Sequence, residues 1–347
     1  MPAATSPEPV GLETKLAFLR RPDSYPERPP RVDAIETHMS WVFLTDSRAY
    51  KLKKPVRRER LDFSTLALRR HHCAAEIRLN PRLAPAVYLG LVALTIDPAG
   101  TLYLDGPGPA IEWLVVMRRL PPERMLDRAL RQGTATRAEI EAVATLLAEF
   151  YRDATPIETA ADDYRRHLAA EIAETRLRLL DAGAGLPRPL VDRVLRRLTT
   201  GFETGAGEIG KRAVARRIVE AHGDLRPEHV FLGPPPQVID CLEFCRDLRL
   251  LDPADELAFL AMECDRQGAP WIGDLLFAAY ARITGDRPPP SLVAFYKQLR
   301  AAIRARLAIM HLLDRDVRQP DHWRRQALDY LNWADAAAAP APGQAVG

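Results

Sequence analysis

The stretch His222-Gly-Asp224-Leu-Arg-Pro-Glu-His229-Val-Phe-Leu232, followed by Val238-Ile-Asp240, decides how this chain is read. The short apolar runs His229 to Leu232 and Gln237 to Asp240 flank Gly233-Pro-Pro-Pro236, a pattern that predicts a small hairpin. An acid in the loop before a hairpin and a second at the end of its return strand bring two carboxylates to one mouth of the fold. That pairing suits phosphoryl transfer. One carboxylate orients an attacking hydroxyl and accepts its proton, while the other binds Mg²⁺ on the nucleotide phosphates.

Upstream of this stretch, three short β-compatible segments, Val32 to His38, Trp41 to Asp46 and Ala49 to Val56, predict an antiparallel meander. A helix is predicted from Ser64 to Leu79, with Asp62 or Ser64 as its cap and Pro81 as its stop. Further strands are expected at Tyr88 to Ile96, Thr101 to Leu104 and Ile111 to Met117. From Pro121 onward the apolar spacing becomes helical, at Arg137 to Arg152, Ala161 to Asp181, Pro189 to Leu198, Ala254 to Arg266, Trp271 to Thr284 and Ser291 to Leu313. The expected architecture is α+β. It comprises a disordered tail over 1–10, a β-rich lobe with a leading helix over 11–118, a helical lobe over 119–335 and a second tail over 336–347.

The composition narrows the function classes. At 47% hydrophobic and 27% charged, the 347 residues match ordinary globular usage, which excludes wholesale disorder. The net charge is only +3, and no long Lys/Arg run provides a nucleic-acid footprint. No apolar run approaches the roughly 18 residues that cross a bilayer, and the first residues lack a signal-peptide pattern. A cytoplasmic protein acting without membrane or nucleic acid is expected. The four cysteines, Cys73, Cys241, Cys245 and Cys264, lack zinc spacing and read as reduced core thiols.

Lysine usage is informative. The chain has six lysines, Lys15, Lys51, Lys53, Lys54, Lys211 and Lys297, and three of them fall within four residues. Alternation along a strand puts Ala49, Lys51 and Lys53 on one face. A compact ammonium is well suited to bridging the α- and β-phosphates of a nucleotide, where a forked guanidinium would hydrogen-bond differently. Lys51 is the first candidate for that role and Lys53 the second.

Taken together, His222-Gly-Asp224 with Asp240, and Arg48-Ala-Tyr-Lys51 upstream, resemble the aminoglycoside phosphotransferase and choline kinase group of protein-kinase-like enzymes. The catalytic stretch of that group looks like H-G-D-x-x-x-x-N and is followed by an I-D metal site. The resemblance implies a bilobal protein-kinase-like fold, ATP and Mg²⁺ as cofactors, and phosphorylation of a small-molecule hydroxyl. It further implies Asp224 as catalytic acid, Asp240 as metal ligand, and Lys51 on the third strand paired with Glu76 of the following helix, Glu59 being the rival. Trp113 to Leu120, with Met117 near its end, would be the hinge whose backbone receives adenine. A D-x-x-D-L-A stretch follows the metal acid in this group, and Asp252-Pro-Ala-Asp-Glu-Leu-Ala resembles it as a helix start. Within the group, the chain looks most like the kinase-like half of bacterial proteins often fused to a P-loop nucleotide-kinase-like half, so a separate P-loop protein is an expected partner.

The chain departs from that pattern at two points. His229 stands where the group has a metal-binding Asn, and imidazole is a poor ligand for hard Mg²⁺, so it is read either as an atypical ligand or as a group behind the metal shell. The turn His38-Met-Ser40 contains no glycine to cover phosphates. Both features keep open a second reading, a catalytically weak, pseudokinase-like nucleotide-binding module. A protein kinase is the third, but no D-F-G to A-P-E signature follows Asp240. Gly205-Ala-Gly-Glu-Ile-Gly-Lys211-Arg212 nearly fits a P-loop, yet Arg212 replaces the required hydroxyl and helical pattern precedes it.

Overall fold

Period-two alternation in Arg48-Ala-Tyr-Lys-Leu-Lys53 sends Tyr50 and Leu52 to one side of a sheet and Ala49, Lys51 and Lys53 to the other. The computed structural model describes residues 10–58, 60–313 and 319–337. Glu59 lies outside them, as do almost all of the two expected tails. The chain divides into two compact units, Met1–Arg124 with Gln237–Arg246, and Met125–Pro236 with Asp247–Gly347.

In the first unit, helix α1 (Leu12–Leu19) precedes strands β1 (Asp33–Glu36), β2 (Ser40–Leu44) and β3 (Arg48–Lys53). The short pair β4 (Arg57–Arg58) and β5 (Leu61–Asp62) leads into helix α2 (Leu66–Leu79), and β6 (Tyr88–Ile96), β7 (Leu102–Leu104) and β8 (Ala110–Arg118) follow. Six strands form one antiparallel sheet in the order β1-β2-β3-β8-β6-β7. On one side, Leu16 and Leu19 of α1 pack with Tyr25, Phe43, Tyr50, Leu52 and Leu114. On the other, Cys73 of α2 packs with Val87, Tyr88 and Val115, and Ile239 from late in the chain lies against this cluster. The cap of α2 is Thr65, whose hydroxyl accepts the Leu68 N–H at 3.2 Å, and not Asp62 or Ser64. Asp62 is occupied two residues on, accepting the Ser64 N–H at 2.9 Å in a local turn.

The second unit holds helices α3 (Leu126–Gln132), α4 (Arg137–Asp153), α5 (Ala161–Leu179) and α6 (Arg188–Val214), then strands β9 (Val219–Glu220) and β10 (Val230–Phe231). Strand β11 (Gln237–Val238) belongs to the first unit, and β12 (Leu250–Leu251) returns to the second to pair with β9. Helices α7 (Pro253–Arg266), α8 (Trp271–Thr284), α9 (Pro290–Met310) and α10 (Pro320–Ala336) complete it. Its core is lined by Leu168, Val191, Leu198, Phe259, Tyr296, Leu299 and Leu331. No described helix is long and apolar enough to cross a membrane.

Helix α6 extends past the expected Leu198 to Val214 and contains the whole P-loop look-alike. Two of its glycines serve close packing. A Cβ at Gly210 would lie 3.3 Å from that of Ala161 on α5, and one at Gly201 would lie 3.0 Å from the Phe295 ring of α9. Arg212 is buried and forks onto two carboxylates, donating to both oxygens of Asp252 and reaching Asp286 at 2.7 and 3.1 Å. Tyr296 and Tyr280 donate their hydroxyls to Asp252 and Asp286. The residue that fails the P-loop pattern is therefore the centre of a buried ion network. Asp252 also caps α7, accepting the Ala254 N–H at 2.9 Å. Sequence patterning missed α3 and α10. The buried stripe of α10, Ala327, Tyr330, Leu331 and Ala334, is narrow and half alanine, so it contrasts little with its surroundings.

Candidate functional site

In the first unit, Lys51 and Lys53 meet three carboxylates. Lys51 donates to Glu76 Oε1 at 2.9 Å and to Asp240 Oδ1 at 2.6 Å. Lys53 donates to the other oxygen of the same carboxylate, Glu76 Oε2, at 2.7 Å, and also to Glu243. Burial disfavours charge at Lys51, Lys53 and Glu76. Against it, Asp240 and Glu76 hold Lys51 well above the usual lysine range, and Glu243 and Glu76 do the same for Lys53. The two ammoniums in turn outweigh burial at Glu76 and lower its carboxyl. The third lysine of the cluster has a different task. Lys54 donates to Glu36 Oε1 at 2.6 Å and to the Thr37 carbonyl at 2.5 Å, closing the turn between β1 and β2. That turn spans only Thr37 to Met39 and is held by its own hydrogen bonds, so it has no long glycine flap.

Asp240 is fixed by backbone as well as by charge. Its φ of +63° lies in the left-handed region, uncommon for any residue but glycine. Its N–H donates to the Tyr88 hydroxyl at 3.0 Å, the next N–H, of Cys241, donates to Asn80 Oδ1 at 2.8 Å, and that of Val238 to the Leu83 carbonyl at 3.2 Å. The Asp240 carboxylate is 44% exposed, whereas Glu76 is fully buried. Met117 is the penultimate residue of β8, paired with both Ala49 and Tyr88 and packed against the α2 side of the sheet. The segment read as a hinge is thus mostly strand, and the chain leaves the sheet only after Arg118.

In the second unit, the loop His222 to His229 is held from beneath. Glu256 of α7, 1% exposed, accepts the His222 N–H at 3.0 Å, the Gly223 N–H at 2.5 Å and the Tyr151 hydroxyl at 2.7 Å. Gly223 turns the chain at φ +90°, where a side chain would be strained. Its neighbour on α7, Asp255, forms a two-pronged pair with Arg300 at 2.7 Å. The Asp224 carboxylate accepts Arg226 Nε at 2.9 Å. Burial alone would raise this carboxyl, but the guanidiniums of Arg226 and Arg304 prevail and bring it down to about 2. His229 contacts the Asp224 carbonyl through Nδ1 at 2.8 Å and an Arg226 nitrogen through Nε2 at 3.2 Å. A carbonyl only accepts and a guanidinium only donates, so Nδ1 bears the proton and Nε2 the lone pair. Both ring nitrogens are therefore committed inside the loop.

The structure thus brings together Lys51, Lys53, Glu76 and Asp240 in one unit, and Asp224 with His229 in the other. Sequence reading missed Glu243 and Arg226 and took Glu256 for a helix-end charge. Glu243 lies three residues after Asp240 and Arg226 two after Asp224, so proximity to the predicted acids was the available signal. For Glu256 the sequence offered none, because its partners are two backbone amides and a tyrosine hydroxyl 105 residues earlier.

No family model matches the chain. It is 36% identical over 287 residues to uncharacterised proteins of Mycobacterium tuberculosis and Mycobacterium bovis, covering 80% of this chain and 55% of theirs. The chain therefore spans about half the length of the curated relatives it matches. Among solved structures, a choline/ethanolamine kinase family protein from Mesorhizobium loti superposes with a TM-score of 0.51 at 14% identity, over 93% of this chain and 99% of that one. The protein has the kinase-like fold of that structure.

Proposed function

We propose that the protein is an ATP- and Mg²⁺-dependent phosphotransferase acting on a hydroxyl of a small molecule. The observation that carries this reading is the contact of Lys51 with both Glu76 and Asp240, groups 25 and 189 residues away in sequence. The kinase-like fold supports it. Lys51 would bind the nucleotide phosphates, with Glu76 holding its ammonium in line. Asp240 suits a hard cation, offering a half-exposed oxygen ligand. Among the described residues no group of three or more His, Cys, Asp and Glu is arranged to hold a metal ion alone, which fits a Mg²⁺ that completes its shell with phosphate and water. When bound, that ion would neutralise charge on the transferring phosphoryl group. Asp224 would orient the acceptor hydroxyl and receive its proton. Arg226 keeps Asp224 ionised, and His229 would support the loop rather than ligate metal, since both its nitrogens are engaged.

The three-residue turn between β1 and β2 favours a second reading, a nucleotide-binding module with little turnover. Either reading requires nucleotide binding. At 100 times its dissociation constant, a ligand stabilises the native state by about 2.7 kcal/mol. ADP or ATP is thus expected to raise the melting temperature, with an added increment on Mg²⁺ that Asp240→Ala removes. A wild type whose melting temperature ignores nucleotide would refute both readings.

A further inference from the structure

We propose that Lys53 and Glu243 form a positioning pair that holds Asp240 in its metal-binding conformation and leaves Lys51 alone to meet phosphate. The inference rests on the phosphotransferase reading and deepens it. Two lysines on one face of β3 look interchangeable in sequence, but their surroundings differ. The Lys53 side chain is 1% exposed, lies between Glu76 and Glu243, and sits 5.0 Å over the Phe63 ring. An ammonium enclosed by two carboxylates and an aromatic face has no path to a ligand arriving from solvent. Lys51 is 14% exposed and bonds the half-exposed Asp240.

The Lys53–Glu243 pair ties the segment after β11 to strand β3. The segment is also held to β3 by the Lys51–Asp240 ion pair, and elsewhere by hydrogen bonds from the amides of Val238, Asp240 and Cys241. Asp240 is in the left-handed region, and a non-glycine residue persists there only where its surroundings over-determine it. Glu243, three residues on, supplies a charged anchor for that purpose. Because Lys51 and Lys53 are two residues apart on β3 and share the Glu76 carboxylate, the anchor also sets the segment's register against Lys51. Removing Glu243 leaves Lys53 paired with Glu76, so no buried cation is left alone. The substitution therefore tests position rather than the survival of the fold.

Mg²⁺ is titrated into protein saturated with ADP, reading the melting temperature, for wild type, Glu243→Gln and Lys53→Met. Outer groups that orient metal ligands typically contribute 10- to 100-fold in metal affinity. Both variants are expected to need about tenfold or more Mg²⁺ for the half-maximal shift, with the ADP shift in EDTA unchanged. The double variant is expected to be no worse than the weaker-binding single, because one interaction has been removed twice. In nucleotide-free protein, the amides of Asp240 and Cys241 are expected to exchange hydrogen faster in both variants. Should Glu243→Gln not fold, Glu243→Asp, which shortens the link, carries the same two measurements. Variants that melt earlier but keep the wild-type Mg²⁺ midpoint would overturn the proposal. A wild type without metal dependence would instead refute the phosphotransferase reading. In that event unchanged exchange at Asp240 and Cys241 would overturn the positioning role independently.

Discussion

Asp224→Asn is expected to keep nucleotide binding and to slow phosphoryl transfer, or the accompanying ATP hydrolysis, by about 10² to 10⁴, the usual contribution of a positioned acid-base group. Asparagine keeps the shape of aspartate but cannot take up the hydroxyl proton, and the Arg226 contact loses its charge. Single-turnover measurements beside an ADP-induced melting shift separate chemistry from binding. Equal residual turnover in mutant and wild type would favour the binding module. The pH dependence follows from the same site. The Asp224 carboxyl is lowered to about 2, so it is ionised throughout the range from about pH 5 to pH 8 and contributes no acid limb there. In Arg226→Gln the largest opposing charge is gone, burial meets less opposition, and an acid limb is expected to move up toward that range. A pH-rate profile of Arg226→Gln identical to that of wild type would remove Arg226 as the group that sets Asp224.

The second large effect is on stability. Arg212→Met is expected to destabilise the fold by about 3–5 kcal/mol, because Asp252 and Asp286 are left buried without their shared cation. Asp252 is doubly placed, since it also caps α7, the helix that carries Glu256 under the His222 loop. Loss of Arg212 should therefore lower activity even where the protein remains folded. Lys211→Met is the control. Lys211 is exposed and, among the described residues, paired only with Glu208 one helical turn away, so about 0.5 kcal/mol or less is expected. Denaturant midpoints for the two variants measure the contrast. Unchanged nucleotide binding in Lys211→Met would match the placement of the P-loop look-alike within a packed helix.

Local patterning was enough for much of the fold. Alternation along Arg48 to Lys53, the Pro81 stop, the Asp252 cap and the 3.6-residue spacing of α4, α5, α7, α8 and α9 are local signals, and local backbone preference governs them. The kinase-like fold and the pairing of Lys51 with Glu76 were legible through the resemblance to the phosphotransferase group, carried by a motif on a strand and the helix after it. Other features depended on the tertiary structure, because they join residues with no periodic relation. Choosing between Lys51 and Lys53 required their burial, since both share one strand face. The roles of Glu243 and Glu256 became visible only when the partners, a lysine 190 residues earlier and two loop amides, came within hydrogen-bond reach. The glycines of α6 look like a phosphate loop in sequence. Only the close approach of Gly210 to α5 identifies that glycine as a packing residue, because the same missing Cβ serves a tight loop and a tight helix contact equally well.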